Sequence, residues 1–165
     1  MSHLRANVRH WLEADISSVR KLMRDLAIFE HDLHNFDNFY AKDDLLENGF
    51  QTLPPELYCL VAEEDAEVVG ILVYFLLPTT ETAESEMWIT YLFVTQPMRG
   101  QGVGRNLMRR AAFEAKNLGC GFIRWVADEN DPAKRFYESL GACSDPHGLS
   151  YGLVRAALET LAGQT

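Results

Sequence analysis

The stretch that decides how this chain folds is Arg99-Gly100-Gln101-Gly102-Val103-Gly104-Arg105. It joins an apolar run, Met87 to Val94, to a helical pattern reaching from about Gly102 to Leu118. Closely spaced glycines open backbone conformations closed to residues with a Cβ, and they let a ligand approach main-chain N–H groups. The first amides of a helix have no intrahelical partner and lie at the positive end of its dipole. Strand, glycine loop and helix start therefore make a site for phosphate. Arg99 and Arg105 add positive charge beside it.

Two other phosphate loops are excluded by the same residues. A Walker loop needs Lys-Ser/Thr after its last glycine, and Arg105-Asn106 follows Gly104 here. A dinucleotide fingerprint needs G-x-G-x-x-G with an acidic ribose partner in a βαβ setting, whereas this loop reads G-x-G-x-G. A glycine loop that only turns the chain stays open on the loop alone.

Working outward, 165 residues with 47% hydrophobic content suit one domain, residues 1–165, built on a single core. A net charge of −9 argues against a nucleic-acid partner and mildly favours a cationic substrate. Cys59, Cys120 and Cys143 are odd in number and lack metal-ligand spacing, so they read as small buried thiols in a reducing compartment, with no metal site. The amino terminus has no signal-peptide core, and the longest apolar run, Val68 to Leu77, is too short to span a bilayer. The expectation is a cytoplasmic protein without a membrane partner.

In chain order, Ala6 to His10 reads as a weak first strand. Asp15 reads as N-cap of a helix carrying Ile16, Val19, Leu22, Met23 and Leu26 on one face and ending near Phe29-Glu30. His31 and His34 then fall in a loop or loose final turn, and with no third ligand they read as solvated. A short helix, Ala41 to Asn48, stops at Gly49. Leu57–Glu63 and Val68–Leu77 form an antiparallel hairpin around Asp65-Ala66. Thr79–Glu86 is a polar loop. Met87–Val94 is apolar enough for a strand buried on both faces. The helix after the loop places Val103, Leu107, Ala111, Phe113 and Leu118 along one side. Gly121–Ala127 is a strand parallel to Met87–Val94, since a helix carries the crossover. Asp131 caps a short helix ending at Gly141, and a strand near Leu149–Val154 and a helix from Arg155 close the chain. The fold class is α/β, a mixed, mostly antiparallel twisted sheet with helices on both faces.

Arg99, Gly102 and Gly104 occupy the fixed positions of the acetyl-CoA loop, Arg/Gln-x-x-Gly-x-Gly/Ala, which this sequence resembles in the GNAT superfamily of N-acetyltransferases. A second GNAT signature is resembled by Asn130-x-Pro132 followed by Arg135-Phe136-Tyr137-Glu138-Ser139-Leu140-Gly141-Ala142. Val8-Arg9, Leu26-Ala27-x-Phe29-Glu30 and Asp44-Leu45-Leu46-Glu47-x-Gly49-Phe50 are similar to the branch holding the spermidine/spermine and thialysine acetyltransferases. The resemblance implies acetyl-CoA as cosubstrate, no metal, a small-molecule amine acceptor and a homodimer. It also implies that the parallel strand pair splays apart around the pantetheine arm. Main-chain groups of Leu92, Phe93 and Val94 then bind the pantetheine amides, and amides across Gly100, Gln101, Gly102, Val103, Gly104 and Arg105 bind the pyrophosphate. Asn130, Pro132 and Ala133 line the coenzyme. Tyr137 is implied as the general acid that protonates the leaving thiolate, since a phenol is protonated at neutral pH and able to donate; packing alone is the other role open to it.

At the acceptor the sequence departs from that branch. Where the relatives carry Leu-Glu-Asp-Phe-Phe-Val, this chain reads Ile89-Thr90-Tyr91-Leu92-Phe93-Val94, so both carboxylates are absent. Glu30, Thr90 and Tyr91 are the expected substrate contacts. A water chain, Glu30, Glu86 or bulk solvent must take the ammonium proton. Acetyl transfer to a protein amino terminus or lysine, and a non-catalytic acetyl-CoA-binding module, stay open as other functions.

Overall fold

The computed structural model describes residues 6–34, 57–78, 84–127, 131–144, 150–153 and 155–163. In chain order they form β1 (Asn7–His10), α1 (Ile16–His34), β2 (Tyr58–Glu64), β3 (Glu67–Pro78), β4 (Ser85–Val94), α2 (Val103–Asn117), β5 (Cys120–Val126), α3 (Lys134–Ser139), β6 (Cys143–Ser144), β7 (Ser150–Leu153) and α4 (Arg155–Ala162). Short 3-10 turns precede α1 at Glu13–Asp15 and follow β4 at Gln96–Met98. The mixed α/β class is as expected. The anticipated helix Ala41–Asn48 lies outside the described residues, and most of the anticipated loop after Pro78 does too. None of the described helices is long and apolar enough to cross a membrane.

The chain divides into two compact units, Met1–Val73 with Tyr91–Leu107, and Tyr74–Thr90 with Met108–Thr165, so that β3, β4 and α2 each contribute to both. In the first unit β1 pairs antiparallel with β2, Asn7 opposite Glu63 and His10 opposite Leu60. Asp65 and Ala66 join β2 to β3 with φ of 49° and 64°, the mirror-image turn whose twist suits a two-residue hairpin. Val19, Leu22, Met23 and Leu26 of α1 recur at helical spacing. They meet Cys59, Val61, Ile71, Val73 and Phe93, which alternate along their strands, to make the core.

Asp15 does not cap α1 forward as expected. Its carboxylate reaches back, accepting the Leu12 amide at 2.7 Å and a forked pair of bonds from Arg9 at 2.7 and 3.1 Å. Arg9 also donates to Glu63 on β2. The Arg9 guanidinium holds the Asp15 carboxyl below the usual carboxylate range, while burial pushes the Cys59 thiol well up. α1 runs to His34 rather than stopping at Glu30, because no glycine or proline interrupts Phe29–His34.

In the second unit β4 pairs parallel with β5, from Ser85 opposite Cys120 to Trp88 opposite Arg124, with a register shift after Ser85. β7 is antiparallel to both β5 and β6. β6, only two residues long, was not expected from sequence. α2 buries Val103, Leu107, Met108, Ala111, Ala112 and Ala115, but Phe113 and Leu118 are exposed. At 100° per residue Phe113 lies well away from Ala111, and its ring is instead covered by Arg110 at 5.9 Å. Two further expectations fail on burial. Cys143 is exposed rather than buried. β4 is not buried on both faces: Met87, Ile89 and Phe93 are buried, Trp88, Tyr91, Leu92 and Val94 are half-buried and Thr90 is exposed.

Candidate active site

The glycine loop is built from both of its ends. At the strand end the Thr95 amide donates to Val69 at 2.9 Å, which stops β4 against β3. Met98 and Arg99 amides then close the 3-10 turn on Thr95 and Gln96. Gly100 and Gly102 follow with φ of 75° and 87°, the left-handed region that side chains with a Cβ rarely enter. A Cβ at Gly100 would meet nothing within 4 Å, so conformation rather than space requires glycine there. At the helix end the Asn106 amide donates to the Gly102 carbonyl at 3.0 Å, the first bond of the helix. Val103 and Gly104 precede that bond, and their amides belong to the first turn, where a helix offers donors to an anion.

A residue that the sequence reading passed over brings this helix start close to the strands. A Cβ on Gly70 would lie 3.2 Å from Leu107 Cδ1, 3.2 Å from the Phe93 carbonyl oxygen and 3.4 Å from Val103 Cγ1. Gly70 thus leaves room for the first two turns of α2 on β3, beside the backbone of β4. The signal was present in the sequence, since an isolated glycine within a strand pattern marks a close approach.

Arg99 is held at the strand end of the loop. Its Nε donates to the Val94 carbonyl at 2.9 Å, and its guanidinium stands over Phe29 at 4.6 Å and Phe93 at 5.3 Å. The Val94 carbonyl keeps its second lone pair. Gln101 is exposed and donates to the Pro97 carbonyl at 2.8 Å, bracing the loop from below. Arg105 is half-buried in the first turn of α2. Tyr91, an expected substrate contact, packs against the core residues of the first unit.

In the second unit Tyr137 sits on α3 and is buried, its ring tilted against Trp125 of β5 at 5.1 Å and Phe136 at 5.4 Å. The turn before α3 is set by Asp131, whose carboxylate accepts the Ala133 amide at 2.6 Å. Gly141, at φ 82°, ends it, and the Ala142 amide returns to the Tyr137 carbonyl at 3.2 Å. Pro132 is exposed and Ala133 half-buried. Asn130 and the Glu30 side chain lie outside the described residues. Glu86, one of the proposed proton acceptors, is already engaged: its Oε2 accepts from Arg124 Nε at 3.0 Å and from Trp88 Nε1 at 3.2 Å.

Positive-φ glycines, first-turn amides and a strand end a few residues away fit the diphosphate and amide groups of a coenzyme A thioester. Known proteins point the same way. The model of the acetyltransferase (GNAT) family matches residues 18–142. The thialysine N-epsilon-acetyltransferase of mouse is 30% identical over 95% of this chain and 97% of its own length. A human spermidine/spermine N(1)-acetyltransferase-like protein is 27% identical over 82% of this chain, though over only 20% of that longer protein. Among solved structures, an aminoglycoside acetyltransferase from a soil metagenome, crystallised with sisomicin, superposes with a TM-score of 0.67 at 23% identity, covering 82% of this chain and 86% of its own, which speaks to fold alone.

Proposed function

The chain belongs to the acetyltransferase (GNAT) family, and we propose that it moves an acetyl group from acetyl-CoA directly to the amine of a small molecule of low positive charge. The observation that carries this reading is the turn in which Gly100 and Gly102, both at positive φ, deliver the chain into the first turn of α2. Bound there, acetyl-CoA supplies an activated thioester. The residues 1–165 act as one catalytic domain in this reading, in the cytoplasm and as a homodimer.

Amides from Gly100 to Arg105 hold the pyrophosphate, and main-chain groups of Leu92, Phe93 and Val94 hold the pantetheine amides. Arg99, whose Nε is tied to the Val94 carbonyl, fixes that strand end and keeps a positive charge beside the coenzyme. Asn130, Pro132 and Ala133 line the coenzyme. A main-chain amide of β4 polarises the thioester carbonyl as the amine attacks, an oxyanion donor that needs no side chain. Tyr137 gives its phenolic proton to the departing thiolate. The ladder between β4 and β5 runs, among the described residues, only as far as Trp88 and Arg124, which supports a strand pair that opens beyond that point.

Acceptor choice follows from charge. Thr90 and Tyr91 stand where the polyamine branch has its two acids, so a polycation loses its anchors here. The mouse relative, matched over nearly the full chain, is named for an amino-acid acceptor. An amine panel followed by coenzyme A release tests the proposal. A small amino acid or monoamine is expected to exceed spermidine in kcat/KM, with Thr90→Glu moving preference back toward spermidine. Efficient parental use of spermidine would refute the acceptor assignment, and no turnover with any amine would refute the transferase reading.

A further inference from the structure

α1 grips the sheet firmly over its first three turns and loosely after them. Val19, Leu22, Met23 and Leu26 are buried in the core, and among the described residues of α1 Leu26 is the last to be so. Beyond it Ile28 is 60% exposed, and Phe29 is half-buried against the same core. Phe29 has a second partner. The guanidinium of Arg99 stands over its ring at 4.6 Å and over the ring of Phe93 on β4 at 5.3 Å. Arg99 reaches both because the Gln96–Met98 turn folds the chain back, its own amide closing on the Gln96 carbonyl at 3.2 Å. Its Nε then meets the Val94 carbonyl, five residues behind it, at 2.9 Å. Arg99 is exposed, and an exposed arginine ordinarily keeps its rotamer freedom. This one is held at three points, a carbonyl and two aromatic faces.

We propose that Arg99 is a positioning residue that couples the coenzyme site to the last turns of α1 through the ring of Phe29. This rests on the acetyl-transfer reading, in which main-chain groups of Leu92, Phe93 and Val94 hold the pantetheine amides. A coenzyme N–H donating to the Val94 carbonyl takes its second lone pair and leaves Arg99 Nε on the first. Seating the coenzyme fixes Val94, Val94 fixes Arg99, and Arg99 fixes Phe29. Glu30 is the next residue of α1, and Tyr91 packs against the same core as Phe29; both are expected acceptor contacts. The coenzyme thus steadies the helix end and the strand that are to hold the acceptor, without having to touch α1. Such coupling is reciprocal, so an acceptor that steadies α1 tightens the coenzyme by the same factor. Core packing alone asks only for apolar bulk at position 29, which leucine supplies; the coupling asks for a ring face.

Hydrogen–deuterium exchange of α1, with and without saturating acetyl-CoA, reads this coupling in the absence of any acceptor. In the parent the amides of Leu26–His34 are expected to exchange about 2- to 5-fold more slowly with acetyl-CoA bound, the range an exposed cation–π contact supports, while those of Val19–Met23 change little. Phe29→Leu keeps the acetyl-CoA melting shift and loses that slowing. Phe29→Trp, which presents a larger ring face to the guanidinium, retains it. Arg99→Gln loses it as well, which secures the test if the leucine variant fails to fold, and the double variant loses no more than either single one. If Phe29 only packs, the leucine variant exchanges faster in both states and the slowing on acetyl-CoA survives, which overturns the proposal. A parent that binds acetyl-CoA with no change in α1 overturns it too and leaves the coenzyme site standing; a parent with no acetyl-CoA melting shift fails the acetyl-transfer reading first, and the coupling with it.

Discussion

Gly102→Asp separates the conformational from the electrostatic demands of the glycine loop. At φ 87° any residue with a Cβ is strained, by about 1–2 kcal/mol in the left-handed region. An aspartate at the start of α2 recovers about 0.3–1 kcal/mol from the helix dipole, so the ligand-free variant should lose only ~1 kcal/mol. In a protein of this size that is a drop of about 2–4 °C in Tm. Ligand binding is affected far more. A carboxylate about 4 Å from a phosphate charge is opposed by ~4 kcal/mol at an effective dielectric of 20, enough for a loss of about 10³-fold in affinity. The parent at an acetyl-CoA concentration 100 times its Kd gains ~2.7 kcal/mol, or roughly 5–11 °C, and the aspartate variant should gain almost none of this. Gly102→Ala carries the strain without the charge and should keep part of the shift. Differential scanning fluorimetry over an acetyl-CoA titration reads all three proteins. If Gly102→Asp is stabilised as much as the parent, the pyrophosphate does not lie on this helix start.

Two other perturbations address the acid and the frame. Tyr137→Phe preserves the ring against Trp125 and removes only the proton donor, so the acetyl-CoA melting shift should persist while kcat falls ~10²-fold or more; unchanged kcat in pre-steady-state measurement would leave Tyr137 a packing residue. Asp15→Asn leaves the Arg9 fork half-satisfied and should cost about 1.5–3 kcal/mol at neutral pH. Because the folded-state pKa of Asp15 is lowered, its contribution is present above the unfolded value near pH ~3.9 and is lost as pH falls below it. The variant should therefore show a flatter loss of stability below pH ~4 in urea titrations than the parent, and parallel acid limbs would refute the linkage.

The parts of the fold that were legible in the sequence are those set by neighbours in the chain. The Asp65-Ala66 hairpin, the α1 stripe from Val19 to Leu26 and the stop at Gly141 each depend on a few consecutive residues, and each stands where expected. Errors arose where nearby residues compete for the same group or the same face. Asp15 has the right chemistry for a forward cap, but Arg9 and the Leu12 amide claim its carboxylate. Phe113 is apolar enough for the core, yet its angle on α2 leaves it under Arg110. α1 continues past Glu30 because no glycine or proline between Phe29 and His34 favours a stop there.

The same distinction explains why the coenzyme loop reads from sequence and the acceptor does not. Binding a diphosphate with main-chain amides asks only that glycines stand where the backbone must turn, a demand written in consecutive letters. Binding an acceptor asks for side chains from different strands, and the Glu86–Arg124 pair is separated by 38 residues, joined only through the β4–β5 register. Glu86 in isolation reads as a free base; beside Arg124 and Trp88 it is an anchor whose charge is already spoken for. That engagement of Glu86 by Arg124 is visible only once β5 lies against β4. In the proposed acetyl-transfer reading, the missing acids at Thr90 and Tyr91 argue against a polyamine acceptor.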